Sequence, residues 1–188
     1  MNIFGFDPED SQENCSQGIR DLKQELENSG CFDGKFFIGS FQIGEMIFLP
    51  LTLGGFLELQ VRNHPALSGN WPHDENDHLA KSCELFSILC GAPHTADQVK
   101  RLLSARTCMR ALDLGKTIVA SALGCAMEIK AALAESPSTI PFSWWGEAVA
   151  VLVRVCGMRT RDAMSMPITP GFTELVISSI KNKGKFHG

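Results

Sequence analysis

The chain has 188 residues, 44% of them hydrophobic, and a formal net charge of −4 at neutral pH, which suits one packed domain with a well-buried core. The charge is divided by position: residues 1–99 carry 5 Lys+Arg against 15 Asp+Glu, and residues 100–188 carry 12 against 6. Seven cysteines without a CxxC pair, most of them inside apolar patterns, argue against a disulfide framework, and the absence of tyrosine excludes tyrosine chemistry.

Residues 1–15 are polar, acidic and unpatterned, and read as a flexible acidic arm ahead of a single α+β domain over 16–188. The segment from Met1 to Asp10 lacks a basic region leading into an apolar run, so no secretory signal is expected. From Ser16 to Glu27, Ile19, Leu22 and Leu26 recur at helical spacing, with Gly30 as the stop.

Three apolar runs follow, Lys35–Ile43, Glu45–Leu53 and Gly55–Arg62, joined by Gly44-Glu45 and Gly54-Gly55. Glycines at those joints supply the positive φ that tight hairpins need, and Leu57, Leu59 and Val61 alternate with polar neighbours. A three-stranded antiparallel β-meander over 35–62 is expected, with a bend or break at Pro50. Asn63 to His73 reads as a loop.

Beyond it the spacing predicts a helical region over 74–181, a bundle of about five helices. Asp74 or Asp77 caps the first, whose Leu79, Cys83, Phe86 and Cys90 share a face ending at Gly91-Ala92-Pro93. Thr95-Ala96-Asp97-Gln98 has the form of a capping box opening a basic helix, and Gly115 marks a break before a longer apolar helix. That helix is rich in small residues from Ala120 to Ala126 and ends at Ser136-Pro137. Its charges Glu128 and Lys130 interrupt any uncharged membrane-length run, so a soluble, cytoplasmic protein is expected. Another apolar helix runs from Trp144 to Val155 and stops at Gly157, and Thr169-Pro170 starts a last helix.

The densest set of potential metal ligands is His73, Asp74, Glu75, Asp77, His78, Cys83, Cys90 and His94, but no short Cys or His pair matches a structural zinc pattern. Acids capping a helix and cysteines facing a core account for the same residues. Leu114-Gly115-Lys116-Thr117 resembles the end of a phosphate-binding loop, yet Arg110 stands where the first glycine is required. Cys90 with His94, His78 or His64 is the best arrangement for a thiol enzyme, and its place at a helix C-terminus disfavours a thiolate. No GxSxG sequence is present. Trp144 and Trp145 suit either a core-closing role or an exposed stacking surface.

The basic half carries the stronger case. Lys100, Arg101, Arg106 and Arg110 lie along one helix, Arg154, Arg159 and Arg161 cluster around the next helix end, and Lys181, Lys183 and Lys185 form a third group. If they converge, they form a surface able to engage phosphates of RNA or of an acidic membrane. The expected protein is therefore a non-enzymatic assembly or adaptor protein without metal or cofactor. It would self-associate through its opposed charges and meet a protein partner through its acidic half. Small viral matrix and nucleocapsid-associated proteins divide their charge in this way, although no motif ties this chain to them. The competing expectation is a small Cys/His or zinc-dependent enzyme centred on residues 73–94.

Overall fold

The computed structural model describes residues 21–22, 24–33, 35–90, 95–102, 105–134 and 144–183. The expected arm lies outside them. Helix α1, described at residues 21–22 and 24–28, buries Leu22 and Leu26 and stops at Gly30, whose φ of 69° is the left-handed conformation glycine tolerates best.

Two antiparallel hairpins follow: β1 (Phe32–Asp33) with β2 (Phe36–Phe37), and β3 (Phe41–Ile43) with β4 (Met46–Phe48). The expected first run therefore breaks at Gly39, where a Cβ would lie 3.0 Å from the Cys31 backbone. The Gly44-Glu45 turn forms as the sequence predicts, with φ of 61° at Gly44 and Phe41, Gln42 and Ile43 facing Phe48, Ile47 and Met46. After Phe48 the chain leaves the ladder ahead of Pro50. Leu49 N–H donates to Leu89 O at 2.8 Å, and Ile168 N–H donates to Leu51 O at 2.8 Å.

The expected third strand is a helix, α2 (Leu53–Val61). Thr52 caps it, its hydroxyl accepting from Gly55 N–H at 3.0 Å, and Leu53, Phe56 and Leu59 are buried at helical spacing. Over so short a run, periods of 2 and 3.6 share several positions, and burial of Leu53, Phe56 and Leu59 follows the helical one instead of the alternation of Leu57, Leu59 and Val61. Val61, assigned to an apolar strand face, is 83% exposed. Gly54 and Gly55 serve contact instead of turning: a Cβ would come within 3.0 Å of Met164 O at the first and of Ile88 Cγ2 and Leu51 Cδ1 at the second.

The expected loop contains α3 (Pro65–Ser68), closed by Gly69 with φ of 78°. Then come α4 (Glu75–Leu89), α5 (Ala96–Leu102), α6 (Ala105–Ala134), α7 (Trp144–Arg154), α8 (Thr160–Met164) and α9 (Pro170–Lys183). The α+β class read from the sequence describes this architecture. The local start signals hold. Asp74 Oδ1 accepts from Asn76 and Asp77 N–H at 3.0 and 3.1 Å. Thr95 and Gln98 form the reciprocal capping box, at 2.8 and 3.3 Å. Thr169 precedes Pro170 at the start of α9.

The core is organised around α6. Ala111, Leu114, Ile118, Ala122, Cys125 and Ile129 are buried along one face, which meets β2, α4, α7 and α9. The helix does not break at Gly115. It is continuous there, and a Cβ at Gly115 would stand 3.0 Å from Leu85 Cδ2, so that glycine lets α6 approach α4. Ser121 binds the sheet by accepting the buried Phe37 N–H at 2.8 Å. Within Thr107–Ala134 an 18-residue stretch is long and apolar enough for a membrane span when two charged residues are allowed, at a mean hydropathy of 1.5. The core helix of a folded domain meets the same test, and here one face of α6 is packed into a core.

Candidate functional site

The cationic side chains take three different environments. Lys100 and Arg101 are exposed in the last turn of α5, which meets the rest of the fold chiefly through α4. Arg110 on α6 is paired with Glu25 on α1, an ion pair that joins the basic half of the chain to the acidic half. Arg106 lies in the first turn of α6, but its side chain lies outside the described residues, as does that of Lys183; Lys185 is outside altogether. Lys181 is exposed in the last turn of α9 and lines a shallow groove with Glu128, Thr173 and Glu174, so acidic groups accompany it.

Arg154, Arg159 and Arg161 lie at one helix junction. Arg154 closes α7, Arg159 immediately precedes α8 and Arg161 lies within it, and the two helices pack together. The turn between them is set by Gly157 with φ of 68°, and by Cys156 N–H donating to Val151 O at 3.1 Å and Met158 N–H to Leu152 O at 3.0 Å. All three arginines are exposed, and no ion pair among the described residues includes them. Val155 beside Arg154 is 49% exposed, and Asp162 is the acid within the corner. The sequence spacing places the same three residues around one helix end. It also groups Arg110 with Arg106, which the pairing to Glu25 makes a poor candidate for an outside ligand.

Within the 73–94 window, Asp74 and His78 have structural partners. Asp74 caps α4, and His78 stacks on Trp71 with ring centroids 4.9 Å apart, its Nδ1 3.3 Å from Pro72 O. His73, Glu75 and Asp77 are exposed, and His94 lies outside the described residues. Among the described residues no three His, Cys, Asp or Glu side chains converge as metal ligands do. Burial pushes the Cys83 thiol up to about 11, with nearby Cys108 adding to the effect and Lys100 opposing it. Burial alone pushes Cys90 up to about 12. Both thiols are therefore protonated near neutral pH, the unreactive form.

Leu114 to Thr117 lie inside α6, with the Thr117 hydroxyl donating to Asp113 O at 2.8 Å, and so provide no phosphate-binding loop. Trp144 is buried and meets Phe56 edge to face at 4.9 Å, the core-closing alternative; Trp145 is half-buried.

One polar cluster escaped the sequence reading. His64 is buried between α2 and α3, Trp71 lies edge-on to it at 5.8 Å, and Lys116 Nζ stands 5.3 Å from the Trp71 ring centroid. The signal was His64-Pro65, a helix cap followed by the proline that suits a first helical turn. No family model, curated protein or solved structure matches the chain.

Proposed function

We propose that the protein is a non-enzymatic assembly or adaptor protein that docks on an acidic membrane surface through the α7–α8 corner. The observation that carries this reading is that Arg154, Arg159 and Arg161, at the junction of two packed helices, are all exposed and outside any described ion pair, with exposed Val155 next to Arg154. Basic groups near an anionic lipid surface contribute about 1 kcal/mol each. Three of them therefore supply roughly a hundredfold in affinity, reduced by Asp162. Val155 adds an exposed apolar side chain next to Arg154, the combination an interface favours.

RNA is the weaker alternative. Single strands are held largely by stacking on exposed aromatic rings, and the strongly exposed large apolar residues among those described are Ile38, Ile47, Val61, Met109, Met127, Val155 and Leu175. The protonated state of Cys83 and Cys90 favours a binding role over the Cys/His enzyme.

Vesicle co-sedimentation tests the proposal. Binding to phosphatidylserine-containing vesicles is expected to fall at least tenfold in Arg154→Ala/Arg159→Ala/Arg161→Ala and to weaken with salt, with little binding to neutral vesicles. Equal binding to both vesicle types, or arginine-dependent binding to RNA alone, sinks it.

A further inference from the structure

His64 is 1% exposed, and both of its ring nitrogens are committed. Nδ1 accepts the Ala66 N–H at 3.1 Å, so the proton of the neutral ring resides on Nε2, which donates to Lys81 O on α4 at 2.9 Å. One imidazole thereby ties the start of α3 to α4. An imidazolium has two donors and no acceptor, so a second proton on Nδ1 would face the Ala66 N–H.

The surroundings offer such a cation little relief. Arg62, which caps the C-terminus of α2, is paired with Glu58; on α4, Lys81 is paired with Glu84 at 2.8 Å; and α6 contributes a further cation, Lys116, across the Trp71 ring. Each nearby carboxylate already has its own cation. His78 is the other titratable ring in the cluster, stacked on the opposite partner Trp71 instead of bonded to His64. Burial holds the His64 pKa below its ordinary value of 6.5, against smaller opposing effects of its bond to Lys81 and of Glu84.

We propose that His64 is a pH-sensitive latch, whose protonation releases the segment from His64 to Trp71 from α4. The segment suits release, because it is a one-turn helix between Asn63, with φ of 47°, and left-handed Gly69. Its Ala66, Leu67 and Trp71 are only partly buried against the core. The sign follows from the lowered pKa: the latch is fully effective above about 6.5 and weakens as pH falls from there toward the folded-state value.

Amide hydrogen exchange on the full chain at pH 7.5, 6.5 and 5.5, corrected for intrinsic exchange, tests the latch. Opening of Ala66–Trp71 is expected to be flat above pH 6.5 and to rise by roughly tenfold per pH unit below it, with Ile118–Ile129 unchanged. His64→Gln should abolish that rise and His78→Gln should keep it. A pH-independent segment, an equal rise in Ile118–Ile129, or a rise that survives His64→Gln overturns the proposal. Nitrogen-15 shifts of the wild-type imidazole give a check that needs no variant: Nε2–H at pH 7.5 is expected, and Nδ1–H refutes it.

Discussion

Gly115→Ala separates two roles for that glycine. At an ordinary buried helix position, alanine stabilises by about 1 kcal/mol because it restricts the unfolded chain and favours the helix. Here its Cβ would stand 3.0 Å from Leu85 Cδ2, against the 3.5–4.0 Å typical of carbon contacts. Leu85 is fully buried and has little room to withdraw, so overpacking should cost about 1–3 kcal/mol and leave the variant neutral to about 2 kcal/mol less stable. Leu85→Ala alone should cost about 2–5 kcal/mol through its cavity. In that background the obstructing methyl is gone, and Gly115→Ala should recover about 1 kcal/mol. The double-mutant cycle therefore predicts a coupling of about 1–3 kcal/mol between positions 85 and 115, read from urea denaturation followed by far-ultraviolet circular dichroism. Additive single changes, with Gly115→Ala stabilising wild type by about 1 kcal/mol, would refute the close approach of α4 and α6 at this point.

Three further outcomes are expected. At pH 7.5 iodoacetamide should label exposed Cys156 first and reach Cys83 and Cys90 only after denaturation, since pKa values of about 11 and about 12 leave well under one thiolate in a thousand; rapid native labelling of Cys90 would restore the enzyme reading. Asp74→Ala should lower stability by about 1 kcal/mol by leaving the Asn76 and Asp77 amides without their cap, and an unchanged urea midpoint would contradict that role. Burial raises the Asp113 carboxyl above its ordinary 3.8, against the smaller opposing effect of Lys116, so its protonated form favours folding below that value and the benefit is lost as pH rises through the folded-state value. Asp113→Asn should accordingly gain stability relative to wild type between pH 4 and 7, and a constant difference would be inconsistent with that shift.

Features encoded by adjacent residues were legible in the sequence. The Asp74 cap, the Thr95–Gln98 box, Thr169-Pro170 and the Gly44 turn each depend on side chains within a few positions of the backbone groups they serve. Features set by a distant neighbour were not. Gly115 reads as a break until Leu85, thirty positions earlier, is seen against it, and Gly54 reads as a turn until Met164 O is placed beside it. The same distinction runs through the candidate site. Arg154, Arg159 and Arg161 are neighbours in sequence across the short turn between two helices, whereas Arg110 is engaged by Glu25 from 85 positions away.

That long-range pair changes what the divided charge can do. With Arg110 held by Glu25, the exposed cations of the second half include the α7–α8 corner, Lys100 and Arg101, and exposed acids of the first half include Asp74, Glu75 and Asp77 at the start of α4. If one molecule's corner meets its neighbour's α4 terminus, the expected self-association through opposed charges and the proposed membrane docking use the same arginines and must compete. Screening lengths of about 10 Å at 0.1 M salt and about 3 Å at 1 M make that contact salt-labile. Sedimentation velocity should then show oligomers at low salt that dissolve in 1 M salt, in Glu75→Lys/Asp77→Lys, and on adding acidic vesicles. Oligomers that persist with vesicles bound would place self-association on another surface, and a monomer at low salt would remove charge-driven assembly altogether.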